Sequence, residues 1–162
     1  MTSVTSTVER IHVERNGTVE IALPAEEAFL LLRPEGERRW VSGWEPTYVH
    51  PTEPSVGEGV VFQTTTGEGT ATWVQTRFDP TGYSASYNYV VPNHRVTTVD
   101  VAVDHAGEVR SRARVTYRMT ALSPEADECV QAFGDGFEEY VAGWGAAIQE
   151  HVVEGVPLHP TC

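Results

Sequence analysis

Tyrosine hydroxyls are the groups in this 162-residue chain whose type and spacing could do chemistry. From Tyr83 to Val91 a period of two places Tyr83, Ala85, Tyr87, Tyr89 and Val91 on one face. Tyr117 and Tyr140 make the same demand from later segments, because a buried phenol needs a partner for its hydroxyl. Each is either a core filler bonded to backbone or water, or a donor to a polar ligand atom, and the spacing alone leaves both open. The chemistry available to Tyr87 and Tyr89 as donors is stabilisation of a developing oxyanion on a substrate held in place. Arg77 is the candidate cation beside them: if Trp73 and Gln75 face inward, alternation takes Arg77 inward too. Val74 and Phe78 make the opposite face equally apolar, so a surface arginine is the competing reading.

Other chemistries find little support. The histidines His50, His94 and His105 fall at strand ends or turns, with His12, His151 and His159 near the chain ends. None pairs at helical ligand spacing, so no metal site is expected, and His94 reads as a turn residue before a rim residue. No nucleophile elbow occurs, and Gly67-Glu-Gly69 leads into a strand rather than a helix, so neither a serine-hydrolase nor a phosphate-loop reading is available. No cofactor is implied. Eleven arginines and no lysine against 23 acids give a net charge of −12, which disfavours nucleic acid and anionic membrane as partners. No apolar run approaches the ~20 residues of a membrane span. The N-terminus lacks the features of a secretory leader, and Cys129 and Cys162 make no disulfide framework, so a reduced cytoplasmic protein is expected.

The elements that must carry these residues are strands in the middle and helices at the ends. Val19–Leu23 alternates as a strand, and Val8–Val13 is an added edge strand or arm ahead of an Asn16-Gly17 turn. Pro24–Leu32 is a short helix ended by Pro34 and Gly36, and Glu37–Gly43 is a second amphipathic piece carrying Trp40, with Trp44 beyond it. Strands are predicted over 47–50, 59–66, 70–78, 83–91, 96–103 and 110–120, separated by Gly-, Pro- and Asn-rich turns short enough to require an antiparallel meander. On the last strand Ser111, Ala113, Val115, Tyr117 and Met119 oppose Arg110, Arg112, Arg114 and Arg118, giving one covered and one wet face. The cover is one helix over 124–153, about 45 Å long, with apolar positions from Val130 to Val152. Within it Gly134, Gly136, Gly143 and Gly145 predict a kink, since each costs roughly 1 kcal/mol against alanine.

Several segments resemble the START-like, or SRPBCC, superfamily, whose helix-grip fold is shared with the birch-pollen allergens and polyketide cyclases. Val19-Glu-Ile-Ala-Leu-Pro-Ala-Glu-Glu-Ala-Phe29 is similar to its opening strand and helix, and Arg39-Trp40-x-x-Gly-Trp44 to its second helix. Gly59-Val-Val-Phe62, Thr72-Trp-Val-Gln-Thr-Arg-Phe-Asp-Pro80, Val115-Thr-Tyr117 and Tyr140-x-x-Gly-Trp144 resemble later strands and the final helix. The resemblance implies an α+β helix-grip fold: a curved antiparallel sheet of six to seven strands around a long C-terminal helix, with two short helices after the first strand. It sets residues 1–17 apart as an arm or extra edge strand, 18–155 as the domain and 156–162 as a tail.

One helix cannot fill such a sheet, so a cavity is expected between them. Its predicted lining is Trp44, Phe62, Trp73, Tyr117, Phe133, Phe137, Tyr140 and Trp144, with Tyr87, Tyr89 and Arg77 as catalytic donors. The four tryptophans read first as packing anchors, Trp73 and Trp144 being the better cavity candidates. The expected partner is a small hydrophobic or polyketide-like molecule. Two functions follow: a cofactor-independent cyclase or dehydratase working by substrate placement, or a non-catalytic carrier of an apolar ligand. A chaperone-activating partner domain is a third, weaker option, and the oligomeric state is left open, a homodimer included.

Overall fold

The computed structural model describes residues 9–158; the readings made on residues 1–8, on His159 and on Cys162 lie outside them. Seven strands form one antiparallel sheet in the order β1-β7-β6-β5-β4-β3-β2. They are β1 (His12–Ile21), β2 (Thr47–His50), β3 (Val61–Thr66), β4 (Gly69–Asp79), β5 (Ser84–Val91), β6 (Arg95–Gly107) and β7 (Arg110–Ala121). The helices are α1 (Ala25–Leu31), α2 (Pro34–Glu37), α3 (Pro124–Asp135) and α4 (Phe137–Ile148), followed by a wide π turn over Gln149–Val153. Four short connections from β3 to β7 and a longer one between β2 and β3 leave each strand beside its sequence neighbour, and β1 closes on β7.

Alternation explains which face is which. On β7, residues 111, 113, 115, 117, 119 and 121 are all buried, while Arg110, Arg112, Arg114 and Arg118 are exposed. The apolar residues of β5 and β6 continue the buried face, with Tyr87, Tyr89, Val99, Val101 and Val103 all at 7% exposure or less. Helices α3 and α4 lie across β1 and β7 on this concave side, and Val130, Phe137, Val141, Trp144 and Ile148 are buried there.

Four expectations fail for identifiable reasons. Asn16-Gly17 makes no turn: β1 runs unbroken from His12 to Ile21 in register with β7. Gly17 is instead the place where the helix comes close, since a Cβ there would lie 3.1 Å from the Phe137 ring. Pro34 opens α2 rather than ending α1, and the second helix is Pro34–Glu37, not Glu37–Gly43; a Cβ on Gly36 would overlap the Leu30 carbonyl oxygen. From Glu37 the chain continues in turns, with the Trp40 and Val41 amides bonded to the Glu37 carbonyl at 3.2 and 2.8 Å.

The third is a matter of degree: the long C-terminal helix is present and kinked as its glycines predict, but the kink divides it into two helices. Gly136 leaves helical geometry (φ −97°, ψ 10°) and separates α3 from α4. Of the four glycines held responsible for a kink, Gly136 alone sits at the break. Gly134 and Gly145 permit close approach to β1, where added Cβ atoms would meet Val13 at 3.0 Å and Val19 at 2.7 Å. A Cβ on Gly143 would meet nothing within 4 Å.

The fourth failure is on β4. Gln75 pairs with Tyr87 and Arg77 with Ser86, so one extra residue, Thr76, is a bulge. Alternation inverts across it. Arg77 therefore turns to the convex face, bonding the Ser84 hydroxyl at 2.7 Å, and Phe78 takes the inner side against Phe29.

Candidate functional site

A cavity of about 550 Å³ lies between the concave face and α4, bounded at one end by the α2 segment. Seven of the eight predicted lining residues meet there: Trp44, Phe62, Trp73, Tyr117, Phe133, Tyr140 and Trp144. Phe137 does not. It is 2% exposed and packs against Tyr117, Phe133 and the β1 backbone at Gly17, so it is core. Tyr87 and Tyr89 line the cavity and Arg77 does not, for the bulge sends it outward. All four tryptophans of the chain, Trp40 included, contribute to the wall.

The wall is built of interlocked rings. Trp73 stacks on Phe62 at 5.5 Å and 8°, lies 4.2 Å from Tyr89, and meets Trp44 edge-on at 5.6 Å. Opposite, Tyr117, Phe133, Tyr140 and Trp144 form a second cluster, which Trp40 joins at 5.7 Å from Trp144. Three indole N–H groups are tied back: Trp40 to the Leu31 carbonyl at 2.7 Å, Trp44 to the Pro34 carbonyl at 2.8 Å, and Trp73 to the Thr64 hydroxyl at 3.1 Å. These bonds fix the rings before any ligand arrives and leave their apolar bodies toward the space.

Polar groups on the wall are few and each has a distinct setting. Buried Gln75 accepts the Gly57 amide at 2.6 Å and donates Nε2 to the Tyr87 hydroxyl at 3.3 Å. Arg95 donates Nε to the Tyr89 hydroxyl at 3.2 Å, lies 5.6 Å over its ring, and pairs with Glu68 at 2.8 Å. Tyr117 and Tyr140 share a hydroxyl contact at 3.3 Å. Burial pushes the Tyr87, Tyr117 and Tyr140 phenols above their ordinary value, so they remain protonated donors rather than bases.

Two wall residues escaped the sequence reading. Glu37, at the end of α2, holds its carboxyl well above the usual carboxylate range because burial removes water from the charged form. Among the described residues its carboxyl has no hydrogen bond or ion pair. The signal was present as spacing: Glu37, Trp40, Val41 and Trp44 follow i, i+3, i+4, i+7 and all reach the cavity. Arg95, not Arg77, is the cavity arginine. Starting β6 at Val96 hid it, because residues 95, 97, 99 and 101 share the inner face.

At the rim, Glu68, His94 and Cys129 bring one ligand atom each within 4.8 Å of one another. Arg95 Nη1 already lies 2.8 Å from Glu68 Oε1 and 2.9 Å from His94 Nδ1, so a cation there would compete with a guanidinium. His94 thus stands in the rim position, and Cys129 is an exposed free thiol on α3. Among the described residues no helix is long and apolar enough to cross a membrane.

Curved sheet, gripping helix and the cavity left between them together define a helix-grip fold. This is the fold that the resemblance to the START-like (SRPBCC) superfamily implies, and solved structures share it. The norcoclaurine synthase of Thalictrum flavum, solved with dopamine and hydroxybenzaldehyde, is similar with a TM-score of 0.64 at 13% identity, over 95% of this chain and 94% of that one. The Zhui aromatase/cyclase of Streptomyces sp. R1128 gives 0.61 at 16% identity, over 90% and 99%. Ara h 8.0201 gives 0.57 at 12%, over 83% and 98%. No family model and no curated protein matches the sequence.

Proposed function

We propose that this protein binds one small, predominantly aromatic molecule in the cavity between its sheet and its C-terminal helices. The observation that carries the reading is a space of about 550 Å³ left open beside rings already locked to one another and to the backbone. Leaving so much apolar surface unfilled costs packing energy, a cost that ligand binding recovers. The expected ligand is hydrophobic or polyketide-like, and the fold neighbours solved with aromatic molecules, or described as an aromatase/cyclase, support that class. The test is a titration with the neutral fluorophore N-phenyl-1-naphthylamine, read by energy transfer from the four wall tryptophans. Saturable one-to-one binding is expected; no transfer at any concentration refutes the reading.

A second reading, cofactor-independent ring closure or dehydration, is favoured by one detail. The hydroxyls of Tyr87 and Tyr89 each accept a hydrogen bond from behind, from Gln75 and Arg95. Each O–H proton is then left to point at the cavity, the arrangement that stabilises an enolate oxygen as a folded substrate closes a carbon–carbon bond. Once a substrate is found, Tyr87→Phe and Tyr89→Phe should lower kcat by about 10²-fold while barely moving KM. Unchanged turnover in both leaves the carrier reading in place.

A further inference from the structure

The cavity wall carries two carboxylates in opposite circumstances. Glu68 is neutralised by Arg95 at 2.8 Å, whereas Glu37 faces a space walled by indoles and phenols with no cation bonded to it among the described residues. Two of the three arginines near its segment have contacts of their own. Arg38 holds Glu35 at 3.1 Å and the Pro46 carbonyl at 2.9 Å, and Arg33 is clamped between the Phe29 and Phe78 rings at 5.0 and 4.9 Å. A carboxylate left without a partner in an apolar enclosure is a strong attractor for a cation brought from outside. Aromatic walls stabilise the same kind of ligand through their ring quadrupoles, and Trp40 and Trp44 reach the cavity from Glu37's own segment.

We propose that the ligand of this cavity is an aromatic molecule bearing a protonated amine, with its ammonium group held by the Glu37 carboxylate beside Trp40 and Trp44. The inference rests on the cavity reading and adds a charge to its ligand. It also assigns polarity within the site: the ammonium at the α2 end, and a hydrogen-bond acceptor of the ligand at the Tyr89–Arg95 end.

The test is calorimetric titration of the full chain with 2-(naphthalen-2-yl)ethylamine and its neutral analogue 2-(naphthalen-2-yl)ethanol, in wild type and Glu37→Gln. Wild type should bind the amine about tenfold more tightly than the alcohol. Glu37→Gln should bind both alike, with its affinity for the alcohol retained, which shows the variant is folded and its cavity open. An amine preference that is absent in wild type, or that persists in the variant, overturns the inference while alcohol binding leaves the cavity reading intact. If neither compound binds wild type, both fail.

A second readout follows from titration. The groups set around Glu37 are the phenols Tyr48, Tyr87, Tyr117 and Tyr140, and burial keeps each of them protonated through neutral pH. Arg33, Arg38 and Arg39 are the cations of the flanking segment. Amine affinity in wild type should therefore rise with pH as Glu37 ionises, above the ordinary carboxylate range, because the ammonium needs the charged carboxylate. A slope that survives in Glu37→Gln counts against Glu37.

Discussion

The two faces of β7 lie one residue apart in sequence and obey different physics. On the convex side Arg112 meets Glu20 at 2.6 Å, Arg114 meets Asp104 at 2.8 Å and Arg118 meets Asp100 at 2.9 Å, all well exposed. Those pairs offset part of the acidic excess in water, where each contributes little. On the concave side Ala113, Val115, Tyr117 and Met119 are nearly sealed, and the next layer is either packed helix or cavity. Solvent thus decouples neighbours on one face, and close packing couples them on the other.

The largest expected effect is on the packed part of the inner side. Phe137→Ala should lower unfolding free energy by about 3–5 kcal/mol in urea melts, because that ring fills core beneath Gly17 and not the cavity. A loss below about 1 kcal/mol would mean the helix does not grip the sheet as described.

Two glycines of α4 sharpen the contrast between packed and open wall. Gly145→Ala drives a Cβ to within 2.7 Å of Val19 and should destabilise by about 1–3 kcal/mol. Gly143→Ala adds the same methyl into open space and should stabilise by about 1 kcal/mol through helix propensity alone. Equal shifts in Tm for the two variants would erase the distinction.

Glu37 gives the inner face a pH signature. Its folded carboxyl lies above the unfolded value, so the folded state holds its proton more tightly. Its contribution to stability is full below the unfolded pKa and is lost as pH rises through the folded one. Stability of Glu37→Gln relative to wild type should accordingly increase from about pH 4 upward, measured by denaturant midpoints across pH; a flat difference would place the carboxyl in water. At the small end, Arg112→Ala on the convex face should cost no more than about 1 kcal/mol and leave ligand binding unchanged; a larger loss would remove the contrast between faces.

The same contrast explains how much could be read from sequence. Six strands between residues 47 and 121 were legible because turn residues bound them and period-two alternation runs through them, as Arg110–Ala121 shows most plainly. Legibility stopped where a single residue changes the phase. Thr76 bulges and sends Arg77 outward, a one-residue event with no compositional mark. Asn16-Gly17 has the composition of a turn, yet the glycine answers to a ring from α4, a contact 120 residues away in sequence that no local pattern can report. The apolar wall was readable, since seven of its eight named rings stand where the strand and helix faces put them. Its tyrosines were legible by the same alternation, but its charged groups were missed: the spacing that joins Glu37 to Trp40, Val41 and Trp44 runs past the four-residue helix into turns, and Arg95 stands at a strand end where alternation has only begun.

An open, ligand-sized cavity beside Gly143 should be closed by a side chain placed at that position. N-phenyl-1-naphthylamine is titrated into wild type and Gly143→Leu, reading energy transfer from Trp40, Trp44, Trp73 and Trp144, with Tm recorded for both. Saturable one-to-one binding is expected in wild type, weakened at least about tenfold in Gly143→Leu, whose Tm is no lower because the new side chain fills space already empty. Equal affinity in the two proteins, or no binding by wild type, would contradict it.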